Sequence, residues 1–228
     1  MLEEGRRAMS SVLNDAKLES LLGDLHATSK AQDQEIERYF FHERTGPWLG
    51  MEPRDHAFFA DKMVALDKEK AEFCYMICRA IGARRIVEVG TSYGVSTLYL
   101  AAAVRDNGGG VVFAAEHEPT KVKFARANLE ATGLSSFVEL HEADVVEACE
   151  GFGSPVDFVL FDIWSQVTRP VLDVLQPRLR RGAVVCTDGT GGERSRETHR
   201  LFEILGDASL FRTLTMPFEG GFEFSVKI

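Results

Sequence analysis

The most constraining feature of this sequence is a regular alternation between short β-rich runs and helical stretches, which begins near residue 84. Strands that alternate with helices form parallel sheets through right-handed crossovers. The β-rich runs cover residues 84–90, 110–116, 137–143, 156–162 and 182–188. The alternation therefore predicts an α/β fold built on a parallel sheet.

The C-terminal end of the chain departs from this alternation. Two β-rich segments, at 211–217 and 222–228, are joined across Gly220-Gly221. A short glycine-containing turn favours antiparallel pairing of the strands that it connects. We therefore expect a Rossmann-like, mostly parallel seven-stranded sheet that ends in a C-terminal antiparallel hairpin.

The N-terminal part of the chain has helical rather than strand periodicity. Apolar residues recur at helical spacing in residues 11–25, 31–44 and 68–81, whereas 45–55 is rich in Gly and Pro and predicts a loop. The fold class expected from the whole chain is therefore α/β with additional N-terminal helices. Residues 1–83 are expected to form a helical cover within the same domain, and residues 84–228 its core.

Composition excludes several classes of partner. The 228 residues carry 26 Lys and Arg against 35 Asp and Glu, a formal net charge of −9. An acidic balance argues against nucleic acid and anionic membranes as partners, because both select a basic surface. The N-terminal segment lacks the apolar stretch of a secretory signal, which predicts a cytoplasmic protein. The four cysteines form no CxxC pair and favour buried thiols over a disulfide or metal site.

A glycine-containing turn follows the first predicted strand. Gly90 and Gly94 lie between that strand and a helix, where they permit a tight turn and close approach of a ligand. In open α/β sheets, ligands bind beyond the carboxyl ends of the strands. The spacing differs from the dinucleotide fingerprint, and no Lys-Ser/Thr pair follows as in a P-loop. The turn therefore predicts a binding site of another kind.

Acidic residues at the strand ends add to this site. Glu116 ends the second strand, where a carboxylate can accept hydrogen bonds from ribose hydroxyls. Glu88 lies inside an otherwise apolar strand, where a carboxylate is costly unless it is paired or bound. We expect it to meet an ammonium group. Residues 142–144 end the third strand and are candidates for contact with a base amino group. For Glu116 and residues 142–144, a solvated strand end is the alternative.

Seven segments together resemble the class I S-adenosylmethionine-dependent methyltransferases, and more narrowly the small O-methyltransferases related to catechol and caffeoyl-CoA O-methyltransferases. The resemblance covers about residues 60–228. Its carriers are residues 63–67, 87–101, 116, 142–144, 156–162, 182–189 and 220–228. The resemblance implies S-adenosylmethionine as cofactor. The cofactor-binding residues that it implies are Ala65, Glu88, Gly90, Ser92, Gly94, Ser96, Glu116, His117, Ala143, Asp144 and Asp162.

The resemblance implies less about catalysis. Metal-dependent members hold a Mg²⁺-type ion with an Asp after the fourth strand and an Asp-Asn pair after the fifth. This sequence has Asp162 and Asp188, but Gly189 replaces the Asn, and Ser165 stands where the family commonly has a Lys. One version therefore places a divalent cation such as Mg²⁺ on Asp162 and Asp188. In the other version no metal binds, and a side chain of the protein is the base.

The candidate catalytic residues are Asp162, Asp188 and His199, with His56 and His42 as further candidate bases. The predicted function is methyl transfer to a small, aromatic hydroxyl acceptor. Its pocket would be lined by residues such as Trp48, Met51, Phe58, Phe59, Trp164 and Phe218. The alternatives are a metal-independent methyltransferase on another small molecule, a non-catalytic S-adenosylmethionine-binding protein and a nicotinamide-dependent oxidoreductase. The N-terminal helices predict a homodimer.

Overall fold

A computed structural model describes residues 11–44, 51–163, 166–191 and 196–228. Seven strands of the described chain form one sheet in the order β3-β2-β1-β4-β5-β7-β6. Neighbouring strands from β3 to β5 are parallel, whereas β7 is antiparallel to both β5 and β6. The strands are β1 (Arg85–Val89), β2 (Val111–Glu116), β3 (Val138–Glu142), β4 (Val156–Phe161), β5 (Leu179–Asp188), β6 (Phe211–Met216) and β7 (Phe222–Lys227). The predicted fold class is confirmed.

Helices cover both faces of the sheet. Their bounds are α1 (Ala16–Lys30), α2 (Asp33–Arg38), α3 (Pro53–Phe59), α4 (Lys68–Ala80), α5 (Val95–Asp106), α6 (Pro119–Thr132), α7 (Val145–Glu150), α8 (Thr168–Leu175) and α9 (Arg196–Leu205). A π-helical turn, Tyr39–Glu43, continues α2. Short 3₁₀ turns lie at Ser135–Phe137 and Gln176–Arg178.

The central strands are buried on both faces because they lie between these helix layers. Ile86 of β1 belongs to the core that also contains α1, α4 and α5, whereas Val87 and Val89 pack in the core with α7, α8 and α9. Such two-sided burial is typical of parallel strands and explains their nearly continuous apolar runs. It also leaves Glu88 on the α5 side with no route to bulk water.

The loop predicted for residues 45–55 is wrong at its C-terminal end. Helix α3 begins at Pro53, and Glu52 and Asp55 form a capping box in which each side chain accepts a bond from the other's backbone. Proline is favoured at the first helical position because its missing N–H would have no helical partner there. Residues 45–50 lie outside the described part of the chain.

The structure also describes the cysteines and the lengths of the helices. Cys74, Cys78, Cys149 and Cys186 are all free and buried, which confirms the prediction of buried thiols. Across the described ranges, none of the helices is both long and apolar enough to cross a membrane.

Candidate functional site

A cavity of about 750 Å³ opens beyond the carboxyl ends of β1, β2, β4 and β5. The strand order reverses here, because β2 lies on one side of β1 and β4 on the other. Open α/β sheets bind ligands at such a switch point. The volume is within the range of small-molecule sites. Part of its apolar wall comes from the segment around α3, including Phe40, Met51, Phe59, Met63 and Leu66.

The turn after β1 forms one wall of the cavity and requires glycine for a steric reason. Gly90 has φ +102°, and a Cβ built there would lie 2.0 Å from the backbone oxygen of Asp162. The same two strand ends are joined by a hydrogen bond from the Asp162 N–H to the Val89 oxygen, 2.9 Å long. Gly94 begins α5 with φ +82° and packs against Ala125. The ends of β1 and β4 therefore meet closely at the cavity.

Glu88 lies beneath the wall of the cavity rather than in it. Its carboxylate is fully buried and accepts hydrogen bonds from the hydroxyls of Ser96 at 2.7 Å, Thr91 at 3.2 Å and Thr97. Burial raises the pKa of Glu88 to about 7, although the three hydroxyls oppose the shift. Its partners in this structure are hydroxyls of the turn and of α5. Its predicted contact with an ammonium group stays a prediction.

Glu116 is the acidic residue best placed to face a ligand. It lines the cavity with 9% of its surface exposed. One carboxylate oxygen accepts bonds from the N–H groups of His117 at 2.9 Å and Glu118 at 3.0 Å, and the other accepts from the Ser92 N–H at 2.9 Å. Backbone donors therefore fix this carboxylate in position before any ligand arrives.

Most of the other predicted cofactor residues also come together here. The cavity wall includes Ala65, Gly90, Ser92, Ser96, His117, Ala143, Asp144 and Asp162. Neither Glu88 nor Gly94 is in the set of described residues that line it. The Ser92 and Thr187 hydroxyls are buried and have no hydrogen-bond partner among the described residues. Because buried polar groups are normally paired, these two hydroxyls are consistent with a polar ligand.

Some wall residues were missed by the sequence reasoning. Lys121 lines the cavity from the first turn of α6, and burial lowers its pKa. Thr187 lies in a segment that the family resemblance already included. Gln166 lines the cavity and accepts a hydrogen bond from the Met51 N–H at 3.0 Å. The sequence could have indicated Lys121, because this lysine lies at the start of the helix that follows β2. By contrast, nothing in the sequence indicates that residue 166 contacts residue 51.

The segment around α3 is held over the cavity by a buried acid. Asp55 is fully buried and accepts hydrogen bonds from Tyr39 Oη at 2.6 Å, Arg44 Nε at 3.2 Å and the Glu52 N–H at 2.8 Å. Burial opposes ionisation, but these donors keep the pKa of Asp55 below its ordinary value. The ionised carboxylate therefore ties α3 to the turn after α2.

At the other end of the cavity, Asp162 and Asp188 follow β4 and end β5, and both line it. Lys70 of α4 lies behind them with 3% of its surface exposed, and its Nζ is 2.6 Å from Asp188 Oδ1. Burial raises the pKa of Asp162 well above its ordinary value, and neighbouring Asp188 and Glu88 raise it further. Burial is the largest single influence on Lys70 and would lower its pKa, but the carboxylates of Asp188 and Asp67 together outweigh burial and raise it.

These groups do not fit a divalent cation. Gly189 offers no side-chain ligand, and the Asp188 carboxylate already has a buried ammonium as its counter-ion. In the parts of the chain that the structure describes, no three His, Cys, Asp or Glu side chains are grouped as a metal site. Mg²⁺ keeps several waters and can be held by one or two carboxylates, but an ion on Asp188 would be repelled by the ammonium of Lys70, which lies 2.6 Å from Asp188 Oδ1. The chemistry proposed below therefore has no step through a metal.

The candidate bases and aromatic residues are not all at the cavity. His56 lines it and lies edge-to-face with His117, with ring centroids 6.2 Å apart. His42 and His199 are exposed and are not among the described residues that line it. Phe58 stacks on Tyr39, and Phe218 packs against Phe73 and Phe222. Trp48, Trp164 and Ser165 lie outside the described residues.

The sequence of this chain is similar to known methyltransferases. Residues 87–190 match a family model described as Methyltransferase domain. The catechol O-methyltransferase of Mycobacterium tuberculosis is 29% identical over 126 residues, which are 55% of this chain and 56% of that protein. The catechol O-methyltransferase of Niastella koreensis is 26% identical over 104 residues, 43% and 46% of the two chains. The chain thus spans about half the length of these curated relatives.

Solved structures share the fold over a longer part of the chain. The O-methyltransferase from Bacillus cereus in complex with SAH superimposes with a TM-score of 0.68 at 20% identity and covers 92% of this chain and 91% of its own. The O-methyltransferase TomG from Streptomyces achromogenes in complex with SAM gives 0.65 at 21% identity, covering 75% and 85%. At such identities the likeness shows the fold. Together with the match of residues 87–190, it confirms that this chain resembles the class I S-adenosylmethionine-dependent methyltransferases.

Proposed function

We propose that this chain is an S-adenosylmethionine-dependent O-methyltransferase that acts on a small hydroxyl acceptor. The observation that carries the proposal is the Glu116 carboxylate, which three backbone N–H groups hold at the cavity wall beside the turn after β1. An acid at the end of the second strand is suited to a pair of ribose hydroxyls. The methyltransferase domain match and the cofactor complexes of the structural relatives support this assignment.

The cofactor would occupy the side of the cavity that runs from β3 to β4. Glu116 would accept from the ribose hydroxyls, and His117, Ala143 and Asp144 would border the adenine. The amino-acid part would lie along the turn after β1, near Ser92 and Ser96 and the backbone of Ala65. Glu88 would support this arrangement from below, because its carboxylate holds Thr91, Ser96 and Thr97 in place.

When bound, S-adenosylmethionine supplies a methyl group on a sulfonium; transfer to the acceptor oxygen breaks the carbon–sulfur bond and leaves S-adenosylhomocysteine. The acceptor hydroxyl loses its proton in this step. Asp162 is the group proposed to accept that proton, because it faces the cavity and its raised pKa makes it a better base than an ordinary aspartate. The apolar residues around α3 would exclude water from the acceptor.

An aromatic acceptor is the finer part of the proposal. Phe40, Phe59, Met51 and Leu66 present an apolar surface of the kind that contacts planar ligands. The relatives named as catechol O-methyltransferases support a phenolic hydroxyl. A catechol and a simple phenol should therefore be compared with an aliphatic alcohol of similar size.

The decisive experiment measures S-adenosylhomocysteine release with a panel of phenols and catechols. Asp162→Asn should bind S-adenosylhomocysteine but lose most turnover, because an amide cannot accept the proton. Exposed Asp173→Asn is the matched control and should retain activity. Cofactor binding without turnover on any acceptor would favour a non-catalytic binding protein. Thermal stabilisation by NAD(P) rather than S-adenosylmethionine would favour an oxidoreductase.

Two expectations about organisation stay predictions. Residues 1–83 would form a helical cover on a core of residues 84–228, and the N-terminal helices would pair two copies of the chain. Light scattering of the purified protein would measure its mass in solution. A monomeric mass at assay concentration would contradict the homodimer.

A further inference from the structure

Buried Lys70 forms ion pairs with Asp67 and Asp188 behind the cavity. Asp67 precedes α4, and Lys70 lies in the first turn of that helix. The Lys70 Nζ is 2.6 Å from Asp188 Oδ1 and 3.0 Å from Asp67 Oδ2. The Lys70 side chain is 4% exposed, whereas that of Asp67 is 62% exposed. Asp188 is therefore the partner that shares the buried environment of the ammonium.

A buried ammonium group must be stabilised by the groups around it. Removing such a group from water is costly, and a buried charge persists where a close partner and good geometry offset that cost. The 2.6 Å contact with Asp188 Oδ1 supplies the close partner. The turn between β6 and β7 closes over the same place, because a Cβ built on Gly220 would be 3.7 Å from Lys70 Nζ. The lysine is thus enclosed by α4, the end of β5 and this turn.

The position of the ammonium bears directly on metal binding. Asp188 and Asp162 are the carboxylates on which the resemblance would place a divalent ion. A cation bound through Asp188 would lie within a few ångströms of Lys70 Nζ and would be repelled by it. Gly189 contributes no ligand to compensate. Charge and ligand number therefore both act against a metal here.

We propose that Lys70 supplies the positive charge that a divalent ion would otherwise supply at Asp188, so that this end of the cavity works without metal. Lys70 is a positioning residue. It does not line the cavity among the described residues, and it acts by holding the Asp188 carboxylate, which does. The proposal rests on the proposed function only where it treats this end as the acceptor end. The part of the proposal that concerns cation binding depends only on the side chains at this end of the cavity, not on the reaction.

Removal of the charge should create a cation site. Lys70→Met keeps a long unbranched side chain but removes the ammonium, so Mn²⁺ should bind Asp188 and Asp162 at least about tenfold more tightly than in the unmodified protein. Lys70→Arg retains the charge and should bind no better than the unmodified protein. Lys68→Met is the matched control on the same helix, since Lys68 is exposed and pairs with Glu72 instead.

The measurement is a Mn²⁺ titration followed by electron paramagnetic resonance, which reports the free ion. The gain in Lys70→Met should disappear in the double variant with Asp188→Asn. Tight Mn²⁺ binding by the unmodified protein that Asp188→Asn abolishes would overturn the proposal, as would equal affinities in Lys70→Met and Lys68→Met. If Lys70→Met does not fold, Lys70→Gln takes its place, and the titration of the unmodified protein still decides.

Measurement of turnover tests the proposal independently of the Mn²⁺ titration. Methyl transfer should continue unchanged in the presence of a chelator such as EDTA, and added Mg²⁺ should not raise it. Loss of activity in EDTA with recovery on Mg²⁺ would overturn the proposal and leave the methyltransferase assignment standing. Absence of turnover with every acceptor would count against the proposed function instead, while the Mn²⁺ titration would still test the role of Lys70.

Discussion

The fully buried carboxyl group of Glu88 makes the stability of this protein depend on pH in a way that a single substitution should remove. Glu88 lies beneath the candidate site and accepts bonds from Thr91, Ser96 and Thr97. Burial raises its pKa from 4.5 to about 7, so the folded protein favours the protonated form. The substitution Glu88→Gln keeps the shape of that neutral form and removes the titration. Rotation of the hydroxyls allows them to accept bonds from the amide.

The size of the effect follows from the pKa of Glu88 in the folded and unfolded protein. A tenfold change in a proton-binding constant corresponds to about 1.4 kcal/mol, so a pKa that rises from 4.5 to about 7 is worth about 3 kcal/mol. Because the folded-state pKa is raised, the contribution is fully present below pH 4.5 and is lost as pH rises through about 7. Relative to Glu88→Gln, the unmodified protein should therefore lose about 3 kcal/mol of unfolding free energy between pH 4.5 and pH 8.

Urea unfolding at several pH values between 4.5 and 8 measures this difference. Groups that do not interact with Glu88 titrate equally in both proteins, so they cancel when the two unfolding free energies are subtracted at each pH. Asp162 differs, because Glu88 raises its pKa and Glu88→Gln should therefore lower it. Exposed Glu139→Gln is the matched control and should follow the unmodified protein within about 0.5 kcal/mol. A difference between Glu88→Gln and the unmodified protein that stays constant over this range would refute the reasoning.

Two further substitutions test the site. Glu116→Ala should weaken S-adenosylhomocysteine binding by at least about tenfold in calorimetry, because charged hydrogen bonds contribute about 1.5–3 kcal/mol each; Glu118→Ala is the control, and unchanged affinity in Glu116→Ala would remove the ribose assignment. Gly90→Ala should lower the unfolding free energy by more than about 2 kcal/mol, because its Cβ would lie 2.0 Å from the Asp162 oxygen. Gly133→Ala has a similar positive φ but open space and should cost only about 1 kcal/mol; equal losses would show that the clash is relieved without cost.

Much of the fold could be predicted from local patterns. The alternation of strands and helices places β1 to β5 and the C-terminal hairpin where the structure has them, because strand burial and helix periodicity leave their mark within a few residues. Helix α3 could not be found in the same way. Its run of regularly spaced apolar residues is short. The neighbouring Gly and Pro favoured the prediction of a loop, although reciprocal hydrogen bonds between Glu52 and Asp55 begin the helix there.

The candidate site also has some features that local sequence patterns predict and others that depend on tertiary packing. The position of Glu116 follows from its place at a strand end, because parallel strands bring their carboxyl ends to one edge. The surroundings of Glu88 and the pairing of Lys70 with Asp188 depend on how helices α4 and α5 pack against the sheet. By itself, the sequence determined which strand ends meet at the cavity. Only the tertiary structure decided which buried charges are paired there, since pairing depends on distances between residues that lie far apart along the chain.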